Sequence, residues 1–366
     1  MVDYIGIERL QQLVAQVGSA QFIAGLAKEI EADYLRWAEF DKSPRHAAHS
    51  NVGVIELMPI SDGRFYSFKY VNGHPKNTAE GLLTVTAFGV LADVASGYPL
   101  LFSELTFTTA LRTAAMSALA ARLMARPASK VMALIGNGAQ SEFQTLAFHH
   151  LLGIRELRLY DTDPLATTKL ERNLAALRLP GLHVVRCGST AEAVRSADIV
   201  TTCTADKRKA VILTPEMIEP GMHINAVGGD CPGKTELHVN ILRRADARVV
   251  VEFEPQSRSE GEVQQLDAAF PVIEFCAVVS GKTPARNSRH EVTIFDSVGF
   301  ALEDFSALRY LHRLHRAQPG THAMLDLIPH GDDPKNLFGA LTNTAANKLT
   351  SSSAVECHVT SDKVPA

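Results

Sequence analysis

The chain of 366 residues is poor in cysteine, and the five present (Cys187, Cys203, Cys231, Cys276 and Cys357) form no CxxC pair. An odd, scattered set argues against a disulfide framework and suits free thiols in a reducing cytoplasm. No run reaches the roughly 18 uninterrupted apolar residues of a membrane-spanning helix. Asp3 and Glu8 interrupt what would have to be the apolar part of a secretory leader. Charge of one sign is lacking too, since 36 basic residues face 40 acidic ones for a net −4. That balance leaves no footprint for nucleic acid or an anionic membrane. There is no P-loop and no GxSxG elbow. His149-His150 and His312-x-x-His315 lack HExxH or Cys-rich company, so no metal site is expected.

What is present is apolar chain, 46% of residues against 21% charged, enough for about two domains of roughly 150 residues. The texture changes near Arg126-Pro127. After it, strands are predicted at Lys130–Ile135, Glu156–Tyr160, His183–Arg186, Asp198–Thr202, His223–Val227 and Arg248–Glu252. Helices are predicted over Ala139–Leu152 and from Pro164 to about Leu177, the latter capped by Asp163. Such alternation predicts an α/β fold with a doubly wound parallel sheet. Before the change, a helix is expected near Ala20–Phe40, followed by a hairpin of Val54–Ile60 and Phe65–Val71. With Asp62-Gly63 as a two-residue turn, Ile60 faces Phe65, Met58 faces Ser67 and Glu56 faces Lys69. The tail from about Thr350 has neither period nor bulk and reads as a disordered end.

Ile135-Gly136-Asn137-Gly138-Ala139-Gln140-Ser141 joins a predicted strand to a predicted helix, the context a dinucleotide fingerprint requires. Its glycines let the backbone approach a pyrophosphate at a helix N-terminus, with Ser141 replacing the usual third glycine. Asp161 ends the next strand where a carboxylate meets ribose hydroxyls, and an anion there favours NAD over NADP.

Glu56 and Lys69 sit in a hairpin apolar on both faces, which shelters them, and a sheltered lysine suits a substrate carboxylate. A solvated cross-strand pair is the alternative. Arg112 falls in the first turn of an Ala-rich helix opened by Thr108 or Thr109, where the dipole disfavours a cation unless an anion joins it. The alternative is an arginine reaching solvent. Arg45 is a weaker candidate of the same kind. Asp230, in Asn225-Ala-Val-Gly-Gly-Asp-Cys-Pro-Gly-Lys234, follows a strand beside two glycines that admit a cofactor, so it is the candidate acid/base; a turn cap is the alternative.

Glu56 to Pro59, Phe68-Lys-Tyr-Val-Asn-Gly-His-Pro-Lys-Asn77, Gly136-Asn-Gly-Ala-Gln140, Ala226-Val-Gly-Gly-Asp230 and Asp296-Ser-Val-Gly299 together resemble the ornithine cyclodeaminase/mu-crystallin family, to about residue 340. The resemblance implies a cytoplasmic homodimer that turns L-ornithine into L-proline and ammonia with NAD. Residues 1–128, completed by about 315–345, would bind substrate and make the dimer contact. Residues 129–314 would be the NAD-binding Rossmann domain. It further implies that Arg45, Lys69 and Arg112 hold the substrate carboxylate, that Asp230 is the acid/base, that Glu56 adjoins the reacting centre and that Val298 touches substrate. Cofactor contacts are implied at Thr84, Gly138, Ala139, Asp161, Thr202, Lys234, Ser297 and Lys335, to which the two glycine-bearing loops themselves add Gly136, Gln140, Val227, Gly228 and Gly229 as candidates. Lysine cyclodeamination, ketimine reduction, alanine oxidation and non-catalytic ligand storage stay open on the residues alone.

Overall fold

The structure, a computed structural model, describes residues 1–205, 209–318, 323–331 and 333–348. The tail expected to be disordered lies outside them. The first sheet holds β1 (Val2–Ile5), β2 (Asp41–Lys42), β3 (His46–His49), β4 (Val54–Ser61), β5 (Phe65–Gly73), β6 (Ala87–Asp93) and β7 (Pro99–Glu104). Its spatial order is β1-β7-β6-β5-β4-β2, with β3 also on β4 and Met324–Leu325 antiparallel on the outer side of β1. Three helices accompany it: α1 (Ile7–Val17), α2 (Ser19–Leu35) and α3 (Thr106–Met124). The helix expected near Ala20–Phe40 is α2, which ends at Leu35 before a short turn at Trp37–Glu39; α1, not expected from the sequence, precedes it across Gly18 with φ +85°.

The second sheet follows the α/β alternation. Its strands come from β8 (Val131–Ile135), β9 (Glu156–Tyr160), β10 (His183–Arg186), β11 (Ile199–Thr202), β12 (Lys209–Leu213), β13 (His223–Ala226), β14 (Thr235–Leu237), β15 (Ala247–Val251), β16 (Ile273–Glu274) and β17 (Val292–Asp296). All pair in parallel in the order β10-β9-β8-β11-β13-β17-β15-β16, while β12 and β14 form a separate parallel pair. The order reverses between β8 and β11, which is where a doubly wound sheet opens its ligand crevice. Helices α4 (Ser141–Leu152), α5 (Pro164–Leu177), α6 (Thr190–Val194), α7 (Val239–Leu242), α8 (Glu254–Glu260) and α9 (Phe275–Val279) connect the strands. Asp163 caps α5 through the Leu165 N–H, as predicted. After β17 the chain returns to the first sheet through α10 (Ala301–Ala317), which packs on β4, β5, β6, α2 and α3. The return comes at residues 297–300, before the expected 315.

The hairpin departs from the expected register. Ser61 pairs with Tyr66, so Ile60 faces Ser67, Met58 faces Lys69 and Glu56 faces Val71. The turn is longer because the Asp62 carboxylate accepts the Arg64 and Phe65 N–H groups and pairs with Arg36 Nη2 at 2.6 Å. A slip of two residues leaves every side chain on its face. Glu56 and Lys69 therefore still point inward, where both are buried, but toward other partners.

Helix α3 also begins earlier than expected. The Glu104 carboxylate accepts the N–H groups of Thr106, Phe107 and Thr108, which satisfies that helix end internally and puts Arg112 in the second turn. The proposed anion on free amides there is thus excluded. Glu104→Ala should destabilise the fold by about 1 kcal/mol, the usual cost of a lost cap. Urea unfolding reads this as a lower midpoint; an unchanged midpoint would mean the cap carries no weight.

Candidate active site

The carboxyl ends of β8, β9, β11, β13 and β17 share one edge of the second sheet. Gly136 follows β8 with φ +93°, and a Cβ there would lie 2.7 Å from the Cys203 carbonyl oxygen, so only glycine fits. Gly138 is different. A Cβ on it would meet nothing within 4 Å, so its surface is open to an approaching group. Asp161 at the end of β9 accepts the N–H groups of Asn137 and Asp163, which places a carboxylate beside the glycine turn. Thr202 Oγ1, at the end of β11, is buried without a hydrogen-bond partner among the described residues. An open glycine, a neighbouring carboxylate and an orphaned hydroxyl at one edge are the features a dinucleotide would use.

The cations gather nearby. Lys69 on β5 is 1% exposed, with Nζ 2.7 Å from Asp304 Oδ2. Arg112 on α3 reaches Glu303 Oε2 at 2.6 Å through Nη1 and Asp304 Oδ1 at 3.0 Å through Nε. Arg45 donates to Glu56 Oε2 at 3.0 Å and to the Val298 and Gly299 carbonyls at 2.7 and 2.6 Å. Its Nε lies 3.0 Å from Glu260 Oε2. Lys69 and Arg112 thus share Asp304, and Arg45 binds the loop that follows β17.

These contacts set the protonation states. Burial, then the Arg112 charge, pushes the Lys69 ammonium down to about 8 although Asp304 pulls the other way. Burial also opposes the charge of Arg112, but Asp304 and Glu303 outweigh it and its pKa is raised. Burial followed by Glu252 lifts the Glu303 carboxyl well above its usual range, and burial likewise raises Glu252. Burial raises Glu260 to about 7, with Arg45 opposing and Glu56 and Asp230 reinforcing.

Asp230 stands after β13 with its side chain half exposed, Oδ1 3.3 Å from Lys234 Nζ. Its charge is felt by both Arg45 and Glu260, so it adjoins the cation cluster. A relay of buried carboxylates holds its loop. Asp296 accepts the Glu262 and Val263 N–H groups, Glu262 accepts those of Glu236 and Leu237, and Glu236 accepts those of Thr204 and Gly228. Gly228 and Gly229 are needed here, because a Cβ would lie 2.1 Å from Glu236 and 2.9 Å from Glu262 respectively.

Other positions fall less centrally. Val227 N–H donates to the Thr202 carbonyl, and Ser297 Oγ donates to Glu252. Ala139 is exposed in the glycine loop, whereas the Gln140 amide turns to the Ala110 carbonyl on α3. Thr84 lies on the first sheet's loop, its carbonyl accepting the His74 N–H, and Lys335 occupies an exposed turn closed by Asp333. Among the described residues, neither hydrogen-bonds the strand-edge loops. Glu252, Glu260, Glu303 and Asp304 were missed from sequence; only the acidic first turn of α10 hinted at them.

The sequence profile of the ornithine cyclodeaminase/mu-crystallin family matches residues 8–318. An ornithine cyclodeaminase of Brucella melitensis biotype 1 is 55% identical over 93% of this chain and 93% of its own. The solved structure of a lysine cyclodeaminase, described as recognising L-lysine, L-ornithine and L-2,4-diaminobutyric acid, superposes with TM-score 0.84 and 28% identity over 92% of this chain and 98% of that one. An archaeal alanine dehydrogenase dimer with bound NAD superposes with TM-score 0.78 and 28% identity over 86% and 96%.

The two loop glycines should separate fold from binding. Gly136→Ala should destabilise the protein and abolish NADH binding, since strain and a backbone clash both act. Gly138→Ala should leave thermal stability unchanged yet weaken NADH binding by about tenfold or more, because the methyl fills space the pyrophosphate needs. Undiminished NADH fluorescence titration in Gly138→Ala would remove the loop from the cofactor site.

Proposed function

Because this chain belongs to the ornithine cyclodeaminase/mu-crystallin family, we propose that it is an NAD-dependent ornithine cyclodeaminase, converting L-ornithine to L-proline and ammonia without net oxidation. One observation carries the reading: Lys69, Arg112 and Arg45 converge as buried cations beside Asp230, at the edge of a sheet that fits a dinucleotide. Gly136, Gly138, Ala139 and Gln140 would receive the pyrophosphate and Asp161 the ribose. Thr202, Val227, Gly228, Gly229, Lys234 and Ser297 would line the remaining edge, with Thr84 and Lys335 as outer contacts. The chemistry NAD supplies when bound is reversible hydride acceptance at a substrate carbon.

Lys69 and Arg112 would clamp the α-carboxylate. Each keeps free donors for it: the ammonium has three N–H groups and only Asp304 as partner, and Arg112 Nη2 carries no hydrogen bond among the described residues. Glu56, held by Arg45, would adjoin the reacting Cα, with Val298 against the substrate. Oxidation at Cα leaves an imine; the substrate's own distal amine, once neutral, bonds to that carbon, the α-nitrogen leaves as ammonia, and return of the hydride to the resulting cyclic imine would give proline. Asp230 would take the proton from the distal ammonium, its half-exposed side chain letting the proton pass on to water. Holding both ends in one pocket makes the attack intramolecular, an effect that lowers barriers by several kcal/mol, up to about 7–11.

The assembly belongs to the same proposal. The outer face of the first sheet carries Ile55, Leu57 and Tyr66 at 42%, 39% and 39% exposure, beside stacked Tyr70, Phe88 and Phe102. Such a face supports a homodimer. Residues 1–128 with the C-terminal return would form the substrate and dimer part, and residues 129–314 the NAD-binding part, with α10 shared toward the former. Free thiols at Cys187, Cys203 and Cys276 support a cytoplasmic setting.

Parallel assays with L-ornithine, L-lysine, L-alanine and a cyclic imine test the activity. Ornithine should yield ammonia and proline with no build-up of NADH; steady NADH production would contradict the reading. Asp230→Asn should bind NADH normally and lose most turnover, and wild-type rates in that variant would remove Asp230 from proton transfer. Because Lys69 loses its proton above about pH 8, the site's attraction for a carboxylate fades as pH rises past that value. Valerate, which does not titrate there, should inhibit with a Ki rising by up to about tenfold per pH unit. A Ki flat from pH 7 to 10 would show that Lys69 does not face the carboxylate.

A further inference from the structure

We propose that Glu260 is the anionic partner of the substrate's distal ammonium and thereby selects diamino acids; this rests on the cyclodeaminase reading and names its specificity residue. Most buried acids on the second-sheet side have backbone duties. Glu252 accepts Val298 and Gly299 N–H groups, while Glu236, Glu262 and Asp296 hold one another's segments. Glu260, at the end of α8, has none. Its side chain is more than nine-tenths buried, yet neither of its oxygens accepts a hydrogen bond among the described residues.

Its one charged contact does not explain it. Arg45 Nε lies 3.0 Å from Glu260 Oε2, but the two atoms are misaligned and both lack a hydrogen bond. Arg45 is meanwhile fixed by Glu56 and by the Val298 and Gly299 carbonyls. Three carboxylates, Glu56, Glu260 and Asp230, therefore act on one guanidinium. Lys234, the cation beside Asp230, is engaged with Asp230 and the Thr204 carbonyl. A buried, unsatisfied carboxylate in net negative surroundings is costly unless a cation arrives. Ornithine brings one.

The pocket is thus polar end to end. Lys69 and Arg112 face the α-carboxylate, and Glu260 with Asp230 faces the distal nitrogen. Glu260 accepts an N–H of the ammonium while another proton passes to Asp230; the freed lone pair then attacks Cα, and Glu260 itself keeps no proton from the exchange. A substrate without the distal amine leaves this acid buried and unpaired, and sites built to hydrogen-bond a substrate group discriminate strongly against analogues lacking it.

The test measures dissociation constants of L-ornithine and of L-norvaline, the same chain without the distal amine, on the wild-type protein saturated with NADH. Glu260→Gln should weaken ornithine by about tenfold or more, leave norvaline within about twofold and keep NADH binding. Glu260→Asp, which retains the charge, should keep the preference for ornithine. Equal weakening of both ligands would assign Glu260 to holding Arg45, and no change in either would leave it without a role; both overturn the proposal, as does loss of the preference in a Glu260→Asp protein that still binds NADH. Failure of the wild-type protein to turn over ornithine, with the Glu260-dependent preference intact, would instead reject the cyclodeaminase reading alone.

Discussion

Lys69, Arg112 and Arg45 are buried charges, and burying a cation is tolerable only where carboxylates come with it. Lys69 and Arg112 find their acids far along the chain, Asp304 and Glu303 at the start of α10, while Arg45 is held by Glu56 on β4 and also approaches Glu260 at the end of α8. The cations rise from the first sheet and α3, whereas Asp304, Glu303 and Glu260 belong to segments leaving or flanking the second sheet. Neutralising the charges therefore brings the two sheets together at one place. Breaking a buried pair by removing one partner typically costs roughly 3–5 kcal/mol, so the arrangement proposed to hold the substrate carboxylate is also among the contacts that hold the architecture.

The same requirement orders the nucleotide edge. Asp296, Glu262 and Glu236 take up backbone N–H groups of successive loops, and Gly228 and Gly229 make room for them. Asp230 is then presented half exposed from a loop whose own backbone is fixed. A proton acceptor that must meet both substrate and water benefits from that combination. Rigidity comes from the buried acids, and the proposed proton transfer falls to the exposed one.

Much of this was legible in the residues. Strand β9 and the Asp163 cap fall where alternation and turn chemistry put them, because local signals decide them. The hairpin register was not legible, since the Asp62 side chain competes for turn N–H groups and lengthens the turn beyond its two-residue pattern. The start of α3 was hidden for a similar reason: Glu104 caps from the preceding strand. Lys69 and Glu56 could be recognised as sheltered from the apolar faces around them, but their partners could not. Asp304 and Glu260 are separated from the cations they meet by most of the chain, and on their own helices they read as ordinary acidic positions.

The most direct measurement follows the atoms of the substrate. L-Ornithine carrying deuterium at Cα and nitrogen-15 on the α-amine, given to the NAD-loaded protein, should release the nitrogen-15 as ammonia. The proline formed should contain ordinary nitrogen from the distal amine and retain deuterium at C2, because the hydride leaves and returns to the same carbon. Nitrogen-15 in the proline, or exchange of the deuterium with solvent, would contradict a clamped substrate cyclising beside Asp230.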